Sequence, residues 1–452
     1  MRRETIRMDT LNSFSPQASL VMVGHAFQKL GIWSVIERQV KIKQKVRRYT
    51  PTQKLLDAFI NMLAGGQGLV EVNTRVRTDQ LVQLAFGRDG CAEQSTISDT
   101  FSAASLENVQ QLRAGLKQIL RRHGQCAGHN YRRQYQLLDV DLTGLRAGAS
   151  AEGATTGYFA DRRQRRGRQL GRVLATRTQE LVVERLYEGK RQLDHTFQGL
   201  VLAAEDVLDL AENKRKRTIL RADGGAGDDA NINWTLTREY YLLTKVRNWQ
   251  RAYKLAQTVK RWYADPKVAD RQLGWVQTPA RYARSTRQVA VRHPKKTKTG
   301  QVAWHYHVLV FNLTDAMLFQ LSGQPQPCRP TTRQRLLAAA YAYDLRDGGL
   351  ETQNRGDKQG LGLSKRNKRS LTGQEMLILL AQLAHNLVIW SRDRLAVTDP
   401  RFRHYGVQRV VRDLFQISGH VTLTAMGQIK QVVLNPDHPY AAAFQKAFGD
   451  DW

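Results

Sequence analysis

Cysteine is scarce: the 452-residue chain holds only Cys91, Cys126 and Cys328. They lie far apart and form no CxxC pair, which argues against a disulfide framework and against a zinc site, and fits a reducing cytosol. Long apolar runs are missing as well. No stretch approaches the roughly 20 residues of a membrane span, and the opening MRRETIRMDTLNSFSPQ lacks the continuous apolar segment of a secretory signal. There is no Walker A motif to support ATP use, no internal repeat and no long low-complexity segment. Acidic residues are the minority: 40 Asp plus Glu stand against 70 Lys plus Arg, a formal net charge of +30. Such a surplus repels itself unless a polyanion is the usual partner. Nucleic acid leads, because phosphate neutralisation supplies most of non-specific affinity. An acidic membrane surface is the weaker rival, since neither a Lys-rich amphipathic anchor nor a lipidation motif is found.

What is present divides along the chain. The length alone allows two to four domains. Residues 1–130 carry apolar residues at three- and four-residue spacing and read as a helical N-terminal domain that binds DNA. Thr50-Pro51 is a helix start and Gly65-Gly66 a stop. Gln94 to Ser98 opens either a helix–turn–helix element or a bundle helix that only packs. From residue 131 to 250 the texture changes to strands: Gln136 to Leu142, Leu170 to Thr176, Glu180 to Tyr187, Thr218 to Ala222 and Tyr240 to Val246, with helices over Leu193–Leu210 and Ala230–Glu239. This order of strands and helices is that of a ribonuclease H-like mixed sheet, an α/β fold. Residues 251–330 read as a β-rich insertion, with strands over Val276–Val291 and Trp304–Asn312 around a basic tip, His293 to Gly300. The α/β domain resumes over 331–400. There Leu371 to Leu395 is a core helix with an expected capping box at Thr372 to Glu375. Residues 401–452 read as a short helix, a hairpin around Gly427 and a helical tail.

Three acids stand out by placement. Asp141 sits in an apolar strand, Asp223 ends another before Gly-Gly, and Glu351 lies at a helix start among many cations. A carboxylate in a buried strand is costly unless paired or metal-bound. Taken singly, each is best read as a salt-bridge partner for one of the many arginines. Taken together, on the matching elements of one fold order, they fit a metal-binding set. Asp139, two residues before Asp141, shares its sheet face and is an additional or alternative ligand. His305 and His307 alternate on a strand, a spacing open to a metal, but read as structural or solvent-facing.

These residues resemble a DDE transposase of a bacterial insertion sequence, from the group with a Tyr-x2-Arg-x3-Glu-x6-Lys signature. Tyr343-x2-Arg346 and Glu351-x6-Lys358 match. The gap from Arg346 to Glu351 holds Asp347, Gly348, Gly349 and Leu350, one residue more than the pattern. LLDVDLTGL resembles the strand of the first acid and ILRADGG that of the second. AGGQGLVEVNTRVRTDQLVQL and QSTIS are similar to the N-terminal region of that group.

The resemblance implies that Asp141, Asp223 and Glu351 hold two Mg2+ ions, with Mn2+ able to substitute, for cleavage at the element ends and joining to target DNA. Two such ions, roughly 3.5–4 Å apart, suit phosphodiester chemistry. It further implies that Tyr343, Arg346 and Lys358 hold phosphates near the scissile bond, with Arg355, Lys365 and Arg366 as further backbone contacts. The implied partners are double-stranded DNA and a second copy of the chain in a synaptic complex, in a bacterial cytoplasm. A non-catalytic DNA-binding relative and a nuclease without strand transfer are the alternatives.

Overall fold

The computed structural model describes residues 11–159, 162–296 and 300–449. Thr297, Lys298 and Thr299 of the expected basic tip lie outside them, as do the first ten residues of the N-terminal segment. The chain divides into two compact units: Met1–Gly124 with Gly144–Arg168 and Gln353–Trp452, and Gln125–Thr143 with Gln169–Thr352. The helical opening and the C-terminal region, read above as separate stretches, thus fall in one unit. Among the described residues no single helix is long and apolar enough to cross a membrane.

The first unit is mainly helical. The helix Pro51–Leu63 starts as expected: Thr50 accepts from the Gln53 amide and the Gln53 side chain returns to the Thr50 amide. Helices Gln94–Ser102 and Leu106–His123 follow, the second capped by Ser105. The long helix Leu371–Thr398 is buried on nearly all sides. Its cap differs from expectation, because Ser370, not Thr372, accepts the amide of Gly373 at 3.2 Å. The C-terminal hairpin, β12 (Gly419–Leu423) and β13 (Ile429–Leu434), gains a partner from the far end of the chain: β1 (Leu11–Ser15) pairs antiparallel with β12. No local pattern signals that pairing. The strand β3 (Thr155–Phe159) lies antiparallel to the opening residues of β4 (Arg162–Ala175).

The second unit is built on a large mixed sheet. Strands β2 (Gln136–Arg146), β6 (Thr218–Ala222) and β7 (Tyr241–Lys245) run parallel, with β4 beyond β2 and β5 (Glu180–Glu188) beyond β4. The β6 segment is buried throughout, as parallel strands covered on both faces require. On the other side, β11 (Val302–Phe311) pairs antiparallel with β7, then come β10 (Arg287–Lys296), β9 (Gln272–Trp275) and β8 (Tyr263–Ala264). The expected β-rich insertion therefore extends the main sheet. The strand expected from Val276 begins only at Arg287. Pro279 lacks a ladder donor, and the Gln288 side chain meets the Ala280 backbone in both directions, at 3.0 and 2.7 Å, so this stretch is a closed loop.

One face of this sheet carries the helix Thr332–Arg346. Leu137, Ile219, Leu243, Leu309, Val289 and Val291 pack there against Leu336, Ala339 and Ala342. The small alanines let the helix approach closely, and this fixes which strand residues face it.

Candidate active site

Alternation along the strands places the polar residues. Leu137 is in the core under the helix, so Asp139 and Asp141 point to the same face. The β2–β6 register joins Leu137 to Ile219 and Asp139 to Arg221. One step further, Asp141 and Asp223 fall in one row. The β6–β7 register joins Arg221 to Leu243, which brings Lys245 into that same row. Asp223 and Lys245 lie at the carboxyl ends of the parallel strands β6 and β7, where open α/β sheets bind ligands, and Asp141 lies just past the part of β2 that pairs with β6.

The inner row is closed. Asp139 is fully buried and takes two bonds from Arg221, at 2.7 and 2.8 Å. Arg221 also donates to the carbonyls of Ala342, at 2.7 Å, and Leu345, at 3.5 Å, near the end of the helix. The expectation that Asp139 assists or replaces Asp141 as a metal ligand is corrected here: both its oxygens are taken by a guanidinium that also ties down the helix.

The outer row is open. Arg346, at the end of the same helix, reaches Asp141 at 3.2 Å and Glu351 at 3.1 Å. The Arg346 side chain is 10% exposed, Asp141 16% and Glu351 52%. Asp223 caps the short turn Gly224–Ala226, accepting from the Gly225 amide at 2.7 Å, and its carbonyl accepts from the Thr244 hydroxyl at 3.0 Å. Burial, and next the charge of Asp223, push the Asp141 carboxyl up to about 7; Arg346 opposes them and Glu351 adds to them. The surrounding acids, Asp141 first, hold the Arg346 guanidinium charged in spite of its burial. Tyr343 is buried one helical turn before, with Arg346 and Lys245 each 5.9 Å from its ring centre.

The extra residue between Arg346 and Glu351 has a structural counterpart. Asp347–Glu351 forms a π turn between two α-helices, and one inserted residue is what a π turn accommodates. Leu350 anchors the turn in a buried cluster with Leu174 and Leu181. Gly349 lies against the closed pair: a Cβ there would be 2.8 Å from Asp139 Oδ2. The bulge thus allows Glu351 to turn back onto Arg346.

The remaining expected phosphate contacts belong to the first unit. Arg355 and Lys365 are exposed, and Lys358 is half-buried. Arg366 is a correction: it is 3% exposed and donates to the carbonyls of Leu361 and Gly66, so its charge serves internal packing. Burial pushes its guanidinium down to about 10. Lys245 was not foreseen. Its signal was available only as the last residue of a short strand whose register was unknown.

Three carboxylates, one of them half-buried Asp141 held up by burial and next by its like-charged neighbour Asp223, form a hard-oxygen set of the kind that suits Mg2+ or Mn2+. Arg346 already supplies a cation between two of them. By donor type the three carboxylates suit a divalent ion.

No family model matches the chain, and no curated protein matches it. Among solved structures, a cryo-EM structure of a piggyBac transposase synaptic complex with hairpin DNA is similar over 90% of this chain and 83% of that chain, at 10% identity and a TM-score of 0.40. At that score the likeness decides nothing about this chain.

Proposed function

We propose that the chain is a DDE-type DNA transposase with a ribonuclease H-like catalytic unit, of the bacterial insertion-sequence group bearing the Tyr-Arg-Glu-Lys signature. The observation that carries the reading is the convergence of Asp141, Asp223 and Glu351 on one sheet end, with Arg346 between Asp141 and Glu351. The sheet order β5-β4-β2-β6-β7 supports it. Asp141, Asp223 and Glu351 would hold divalent metal. When bound, that metal activates an attacking oxygen and stabilises a leaving one. Arg346 offers a planar donor fork for a phosphate at the same place, and Lys245 a point charge beside Asp223. The burial of Arg346 and the half-buried setting of Asp141 thin the water around these charges and strengthen each interaction. Exposed Arg355 and Lys365, with Lys358, would follow the DNA backbone, and a net charge of +30 would draw the duplex in. A dimer would bring two DNA ends together.

The test is purified protein with Mg2+ on DNA carrying the ends of the element. The expected outcome is cleavage and strand joining in the wild type, and loss of both in Asp223→Asn. Undiminished joining by Asp223→Asn would sink the assigned chemistry. Cleavage without joining would mark a nuclease, and binding without cleavage under any divalent metal a non-catalytic DNA-binding protein.

A further inference from the structure

Beyond the carboxylates, on the same sheet face, a second group of ligating side chains comes together. His305 and His307 share a face by strand alternation. The β10–β11 register sets His293 directly opposite His305 and Val291 opposite His307, so His293 joins them from the neighbouring strand. The ring of His293 is 5.1 Å from that of His305 and 6.0 Å from that of His307, centre to centre. One ring nitrogen from each of the three residues can be chosen so that all lie within 4.8 Å of one another. His293 and His307 are half-buried and His305 is exposed, so the cluster opens to solvent on one side.

The chemistry of the cluster differs from that of the acids. Imidazole nitrogen suits zinc, copper, nickel and iron, whereas Mg2+ demands oxygen. Three neutral imidazoles leave a fourth tetrahedral position free. Burial, and next Lys245, push the His307 ring down, and burial lowers His293 and His305 as well. The nearby cations Lys245, Arg271 and Lys295 oppose a dication as well as a proton. Their effect is to weaken binding relative to a histidine site backed by carboxylates.

We propose that His293, His305 and His307 form a binding site for one Zn2+-class transition ion, distinct from the carboxylate site and built by the pairing of β10 with β11. The ion clips the two strands together in the half of their ribbon nearer the turn and leaves one coordination position open to solvent on the side of His305. The scarcity of cysteine argues against a zinc site from the sequence, but that argument concerns thiolate ligands alone, and His293 becomes a neighbour of His305 and His307 only through the strand register. The inference does not depend on the proposed transposase activity.

The experiment uses the full chain, freed of metal with a chelator and titrated with Co2+ as a coloured stand-in for Zn2+. The expected result is a visible absorption band of nitrogen-ligated Co2+ that Zn2+ abolishes. The band persists in Asp141→Asn and is lost in His305→Ala, an exposed position whose change leaves the core intact. In the unmutated protein, Zn2+ shifts the imidazole NMR signals of these three histidines and leaves those of His385 and His420 in place. No band at saturating Co2+, a band unchanged by His305→Ala, a band lost in Asp141→Asn, or Zn2+ shifts confined to other histidines would each overturn the assignment.

Discussion

Two Asp–Arg pairs stand one row apart on the same face of the same sheet and meet opposite fates. Asp139 and Arg221 face each other in full burial, with every carboxylate oxygen bonded and the guanidinium also holding the end of the helix. Asp141 and Arg346 lie one step nearer the strand ends, where Arg346 is shared with Glu351 and where Asp223 adds a further negative charge. The inner pair balances one charge with one charge and is structural. The outer group has more carboxylates than cations, and the proposed metal site rests on that excess. Residue type does not separate the two pairs; depth along the strand and the count of neighbouring charges do.

The sharpest way to break this comparison is to open the inner pair. Arg221→Met leaves Asp139 buried without a partner, and the loss expected is about 3–5 kcal/mol, read as a lower urea midpoint. Adding Asp139→Leu recovers only part of it, because the bonds from the Arg221 guanidinium to the Ala342 and Leu345 carbonyls are lost as well. The outer group responds to metal instead. Mg2+ at about a hundredfold over its dissociation constant stabilises by roughly 2.7 kcal/mol, seen as a rise in melting temperature. Asp141→Asn abolishes the rise, while Arg221→Met unfolds at a lower temperature yet still gains from Mg2+ if it folds. An equal Mg2+ response in wild type and Asp141→Asn would place the ion elsewhere. The smallest effect links the two rows. Gly349→Ala pushes a methyl towards Asp139 Oδ2 and costs about 1–2 kcal/mol by overpacking. It also moves Glu351, so in the strand-joining assay it lowers activity further than its stability loss accounts for.

Much of the local structure was legible. The Thr50-Pro51 helix start, the alternation of LLDVDL and the apolar steps of the 371–398 helix are short-range patterns, and the elements form where those patterns lie. The misreadings have physical causes. Around Pro279 the residues alternate like a strand, but a Gln288 side chain takes the backbone bonds that a neighbouring strand would have taken. Arg366 reads as one more surface cation, yet its guanidinium meets two buried carbonyls, one nearby at Leu361 and one far along the chain at Gly66.

The sequence by itself determined the chemical inventory: a basic chain, one acid inside a strand, one at a strand end and one at a helix start, an extra residue before Glu351, and no thiol set. Strand and helix propensities act within a few residues, so they place Asp141 at its depth in β2 and Glu351 next to a helix. Only the tertiary structure decided which charges meet. Arg346 reaches Asp141 across 205 positions of chain, Arg221 reaches Asp139 across 82, and His293 meets His305 through a register set by the whole ribbon. Those choices follow from the packing of the 332–346 helix on the sheet, which decides how deep each row lies and how many charges share it.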